Sequence, residues 1–182
     1  MNDVSTAQPD PRIQVLLDKD AIRDVLARYT RGIDRYDLDL VRSVFHPDAI
    51  ESHGPFHGLS HDWIDTFDPE EFRTVERHHQ LGQSIIEVDG DVAYSETYVL
   101  ATRGHQPGGD EPNVEIVHGR YIDRLERRDG EWKIARRTAT IDYASRLVSS
   151  EWAATATFVR GLRYPEDVVY RHADDDAELT SR

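Results

Sequence analysis

The sequence predicts an α+β fold: helices come first and pack on one face of a curved, mainly antiparallel sheet. Two observations carry this. Apolar residues recur at helical spacing early in the chain, as at Ile22, Val25, Leu26, Tyr29 and Ile33. After His78 the period drops from about 3.6 to 2. The alternating stretches that follow are punctuated by Asp89-Gly90 and Asp129-Gly130, which read as hairpin turns. There is no internal repeat and no parallel β-α-β pattern.

Composition limits the functional classes. A chain of 182 residues is long enough for one domain with a sizeable core and short for two. The net charge of −13 argues against a nucleic-acid surface or an anionic membrane, both of which select basic footprints. No apolar run approaches the ~20 residues that span a bilayer, and no signal-peptide core is visible. Zero cysteines remove disulfides, thiolate nucleophiles and Cys-based metal sites, and a cytoplasmic location fits. Lys19 and Lys133 are the only lysines, which leaves a Schiff-base mechanism almost without candidates.

Taken in order, residues 1–12 read as a mobile arm, with Pro9 and Pro11 and few apolar side chains. A helix follows from Ile13 to about Arg35. Asp37 can cap a second short helix that buries Leu38, Leu40, Val41, Val44 and Phe45. Residues 49–53 then form a short strand that turns at Gly54-Pro55 and returns through Phe56-His57-Gly58. Ser60 can cap a helix carrying Trp63, Ile64 and Phe67. Asp68-Pro69-Glu70-Glu71 restarts a helix that ends near Arg77, with Phe72 and Val75 inward. Strands are expected over residues 79–88, 92–101, 114–126 and 131–143. Residues 104–113 form a connection long enough to be a flap. From Ser149, Trp152, Phe158, Val159 and Leu162 suit an amphipathic helix serving as a lid or subunit contact, and residues 174–182 read as disordered. The domain is expected over residues 13–147, with residues 148–182 as an extension.

Candidate chemistry begins at the first helix. Asp34 sits at its C-terminal end, against the negative pole of the helix dipole, a poor place for a structural carboxylate and a reasonable one for a base. A helix-end Asp that caps the next element is the plainer alternative. His79 opens the expected strand, where alternation puts His79, Leu81, Gln83 and Ile85 on one face. Histidine titrates near working pH, so it suits proton transfer, although a strand-start His also serves structure. Arg136 and Arg137 face opposite ways. The inward one either stabilises an anion or pairs with a strand carboxylate. His53, His57, His78 and His79 lack metal-ligand spacing, so no metal is expected. No Gly-rich loop opens a helix after a strand, and no G-x-S-x-G elbow is present, so neither a cofactor nor a hydrolase triad is expected.

Several motifs taken together resemble the SnoaL-like branch of the NTF2-like (nuclear transport factor 2-like) superfamily. They are Tyr29-x4-Asp34, His78-His79-x-Leu81-Gly82-Gln83, Gly119-Arg120-Tyr121-x-Asp123-Arg124 and the Glu126-to-Ile134 turn with its Trp132. The resemblance covers roughly residues 13–147 and implies a cone-shaped barrel, its sheet wrapped around the first helices and an apolar pocket at one end. Relatives include scytalone dehydratase, a bile-acid dehydratase and hexachlorocyclohexane dehydrochlorinase. It implies an Asp34–His79 dyad with His78 as a register alternative, Tyr29 as a catalytic tyrosine and Arg137 at the pocket. It also places His78, Gln83 and Tyr121 at the substrate, although relatives often carry Asn where Gln83 stands. The implied activity is cofactor-independent lyase chemistry on a small hydrophobic, aromatic or polycyclic substrate, with loss of water, halide or a carbon fragment. Ketosteroid-type isomerisation or polyketide cyclisation is the alternative within enzymes, and a non-catalytic ligand-binding or subunit-type protein the alternative outside them. A homo-oligomer, dimer or trimer, is expected.

Overall fold

The computed structural model describes residues 10–104, 113–148 and 161–170. Helix α1 (Pro11–Arg35) starts where Asp10 accepts from the Arg12 N–H, with Pro11 in the first turn. It therefore begins two residues before the expected start, inside the stretch read as an arm. The expected stripe of Ile22, Val25, Leu26, Tyr29 and Ile33 is buried. Near its other end Asp18 anchors the helix, accepting from Arg127 Nη1 at 2.6 Å and Trp132 Nε1 at 3.0 Å.

Tyr36 adopts a left-handed conformation that ends α1, and Asp37 caps α2 (Leu38–Ser43) as expected. The two helices cross at Gly32, where an added Cβ would lie 2.6 Å from Val41 Cγ2. Strands β1 (Phe45–His53) and β2 (Phe56–Leu59) form the first hairpin. Helix α3 (Ser60–Asp65) has Leu59, not Ser60, at its cap, with no side-chain cap bond. Ser60 is already helical, and its buried hydroxyl has no partner among the described residues. Helix α4 (Pro69–Thr74) is capped by Asp68 and stops short of Arg77, because β3 (Glu76–Asp89) has begun.

The sheet continues through β4 (Val92–Gly104), β5 (Val114–Arg128) and β6 (Glu131–Leu147), the last longer than its alternation suggested. Strand order is β2-β1-β6-β5-β4-β3. The meander β3 to β6 is antiparallel, whereas β1 joins β6 in parallel, a long-range pairing that local pattern does not announce. Register shifts at Leu81/Ser84 and His118/Gly119 bend the sheet. At Gly119 a Cβ would meet the Thr140 carbonyl oxygen at 2.0 Å, so the bend excludes a side chain.

The C-terminal segment 161–170 is not helical around Leu162; it ends in a short 3-10 turn, Val168–Tyr170. Trp152, Phe158, Val159, the 174–182 stretch and residues 105–112 of the expected flap lie outside the described residues. Among the described residues, no helix is long and apolar enough to cross a membrane.

Candidate active site

Strand register arranges the concave face in layers. The deepest is a row of charges across three strands, with Glu51 opposite Arg137 and Arg137 opposite Asp123. The next contains His53, Ala139, Tyr121 and Thr97. Farther out lie His79, Ala101, Val117 and Ala144, then Arg77 with Arg103 and Glu115. Above the charged row, residues of the outer layers wall a cavity of about 780 Å³, together with Tyr29, Ile33, Trp63 and Phe72 from the helices and Phe67 from the α3–α4 connection. That volume and its mostly apolar lining suit a small molecule.

Asp34 and His79 meet across α1 and β3. The Asp34 carboxylate takes both bonds from one residue: Oδ2 accepts the His79 backbone N–H at 2.9 Å, and Oδ1 accepts Nδ1–H at 2.6 Å. A carboxylate can only accept, so the ring hydrogen is on Nδ1 and Nε2 is left for other work. His79 lines the cavity, while Asp34 is buried behind it.

The backbone around this pair is held by a residue that sequence reasoning missed. Arg163 donates to the carbonyl oxygens of Asp34 at 2.8 Å, Phe72 at 2.9 Å and Val75 at 2.9 Å. It also reaches Glu76 Oε2 at 3.1 Å. One guanidinium thus satisfies carbonyls at the ends of α1 and α4 and at the entry to β3. Asp167 secures the same segment through Arg35 Nε at 3.1 Å. A lone Arg in a Pro-containing tail gives no sequence signal of this.

Tyr29 and Tyr121 both line the cavity, Tyr29 at 1% exposure. Their rings meet edge to face at 5.5 Å, and Trp63 stacks on Tyr29 at 6.4 Å. Burial holds both phenols well above their ordinary range, which keeps each hydroxyl a donor.

Arg137 is placed differently from the expectation. It is 0% exposed, outside the cavity lining, and pairs with Asp123 through Nε at 2.7 Å and Nη2 at 2.8 Å. Its guanidinium lies 4.0 Å from the Tyr29 ring centroid and 4.2 Å from that of Tyr121. Burial works against its charge, and the Asp123 carboxylate more than offsets that, so the pKa rises. The strand-carboxylate alternative describes Arg137, which supports the tyrosines from behind instead of facing a ligand.

Two further expectations move. His78 is exposed and does not line the cavity. Gln83 is exposed as well, because the irregularity between Leu81 and Ser84 interrupts the alternation and turns Ser84 and Ile86 inward in place of Gln83 and Ile85. The four histidines weighed as metal ligands do not assemble: His57 Nδ1 is bonded to Ser52 Oγ at 2.7 Å and His53 Nδ1 to Glu51 Oε1 at 3.1 Å. Among the described residues no three His, Asp or Glu side chains group to hold a metal.

The model of the SnoaL-like domain family matches residues 14–138. A search of curated proteins gives no match. Among solved structures, a candidate scytalone dehydratase from Novosphingobium aromaticivorans is 22% identical, with TM-score 0.59 over 74% of this chain and 90% of its own. The hexachlorocyclohexane dehydrochlorinase LinA-type3 of Novosphingobium barchaimii is 20% identical, with TM-score 0.65 over 78% of this chain and 97% of its own. A candidate aromatic-ring hydroxylase, also from a Novosphingobium aromaticivorans strain, is 26% identical, with TM-score 0.63 over 72% and 94%. These neighbours share a fold and differ in the reactions their names carry.

Proposed function

The chain belongs to the SnoaL-like domain family, and from that premise we propose that it is a cofactor-independent acid/base lyase for a small hydrophobic substrate. The observation that carries the reading is the Asp34–His79 pair, whose imidazole opens onto an apolar cavity of about 780 Å³. His79 Nε2 removes a proton from carbon, and Asp34 orients the ring and stabilises the imidazolium that forms. The C–H electron pair becomes the new double bond, and the bond to the group on the neighbouring carbon breaks with its electrons. Tyr29, a neutral donor in the wall, gives a hydrogen bond to an oxygen that gathers charge. Arg137 steadies Tyr29 and Tyr121 from below and does not touch the substrate.

Scytalone and γ-hexachlorocyclohexane test the reading, with product mass as the readout. Loss of water or hydrogen chloride, absent in Asp34→Asn and His79→Ala, is the expected result. Conserved mass means isomerisation or cyclisation, and ordered binding without any product means a ligand-binding protein. A homo-oligomer goes with this reading, because Ile85 (61% exposed), Tyr94 (56%), Tyr98 and Ile122 share the outer sheet face. Light scattering during gel filtration should return a multiple of 20.9 kDa.

A further inference from the structure

A second histidine–carboxylate pair lies on β1, the strand that the parallel pairing with β6 brings into the sheet, with His53 in the wall of the same cavity and Glu51 buried behind it. Glu51 and His53 are two residues apart and share a strand face. His53 Nδ1 is 3.1 Å from Glu51 Oε1. The His53 ring lies flat on Trp63, with centroids 4.7 Å apart and planes 18° from parallel, so its orientation is fixed from a second side. Glu51 is 0% exposed, and its Oε2 has no hydrogen-bond partner among the described residues. The neighbouring cation does not supply one: Arg137 gives Nε and Nη2 to Asp123, and its buried Nη1 is also unpartnered. The other ionisable groups around Glu51 are the Asp123 carboxylate, which adds to the upward push on its pKa, and the two phenols Tyr29 and Tyr121.

A buried carboxyl with one donor, beside a cation that is already paired, favours keeping a proton. Burial pushes the Glu51 carboxyl up, against the smaller pulls of His53 and Arg137. Asp34 differs, because it takes two donors from His79. Wherever two titratable pairs share a site and their surroundings separate their proton demand, acid and base roles separate with them.

We propose that Glu51 and His53 form the proton-donating counterpart of the Asp34–His79 base, with His53 Nε2–H protonating the departing group. The proposal rests on the elimination reading above. His79 Nε2 takes the carbon-bound proton while the C–H pair forms the double bond. The bond to an oxygen leaving group breaks with its pair on oxygen, and that oxygen takes the His53 Nε2 proton to leave as water or an alcohol. Glu51 and His53 hold two protons between them before transfer and one after, left on Nδ1 and bonded to the Glu51 carboxylate. Solvent then returns one proton to this pair and takes one from His79.

Two ring-opening eliminations separate acid from base. Both 5-nitro-1,2-benzisoxazole and unsubstituted 1,2-benzisoxazole need a base at carbon, and the second expels a much more basic phenolate. His79→Ala should lose about 100-fold on both compounds. His53→Gln and Glu51→Gln should lose about tenfold or more on the unsubstituted compound and only about twofold on the nitro compound. In nitrogen-15 NMR near neutral pH, His53 Nε2 should carry hydrogen and His79 Nε2 should be bare. Equal losses on the two compounds, no loss on either, or a bare His53 Nε2 in the wild type overturns the assignment of His53. A rate that survives His79→Ala overturns the base instead. The spectrum needs no turnover, so it decides for His53 even where neither compound reacts.

Discussion

Asp34–His79 and Glu51–His53 place the same chemical groups in the same contact, Nδ1 to carboxylate, with the two imidazoles on two parts of one cavity wall. Their support differs. Asp34 sits at a helix end, takes a second bond from the His79 backbone, and has its own carbonyl held by Arg163. Glu51 sits in mid-sheet at 0% exposure, with one donor and one empty oxygen. Residue type alone therefore does not define the role. In the roles proposed above, the number of donors around each carboxylate separates the imidazole that takes a proton from the one that gives it.

The largest test removes the first pair. Asp34→Asn keeps the shape and puts an amide against Nδ1, and kcat on an eliminating substrate should fall about 10²–10⁴-fold. Asp123→Ala tests what keeps the second pair apart from Arg137. It leaves a buried guanidinium unpaired, which costs about 3–5 kcal/mol in urea unfolding. Glu51 is the remaining carboxylate beside that charge, and a cost well below this range would mean that it takes over as counterion.

Gly32→Ala acts on the helix that carries Asp34. The new methyl meets Val41 Cγ2 at 2.6 Å, and a loss of about 1–3 kcal/mol in urea unfolding is expected as α2 shifts. Arg163→Gln should loosen the first pair only. Amide exchange at His79 should quicken and kcat should fall, whereas the His53 ring spectrum should stay as in the wild type.

The smallest effect has a definite sign. Because burial raises the Glu51 pKa above its ordinary 4.5, the folded chain holds this proton to higher pH than the unfolded chain does. Its contribution therefore weakens as pH rises from 4.5 through the raised value. Glu51→Gln removes that loss, so its stability relative to wild type should grow over this window and level off above it. Unfolding free energies of the variant and the wild type, compared at pH 4 and pH 8, should move in the variant's favour at the higher pH.

Much of this architecture is legible in the sequence because it rests on local rules. The α1 stripe, the Asp37 and Asp68 caps and the two Asp-Gly hairpins each follow from spacing and turn chemistry within a few residues. The Asp34–His79 contact is what the family resemblance implies, with His78 as its register alternative, and the structure brings the Asp34 and His79 side chains together. Other expectations failed where a non-local term enters. Gln83 turned outward because one irregularity resets a period-2 pattern, and Arg137 left the cavity because Asp123, opposite it on β5, is a better partner than solvent or ligand.

What the sequence determined by itself is the class of fold and the order of its elements, since amphipathic period, capping and turns are encoded locally. Tertiary structure decided the rest. The parallel seating of β1 on β6 sets Glu51 beside Arg137 and His53 in the cavity wall. The return of residues 161–170 brings Arg163 to the carbonyls around Asp34. Both depend on contacts between residues more than 80 positions apart, and desolvation at those contacts gives each charge its character.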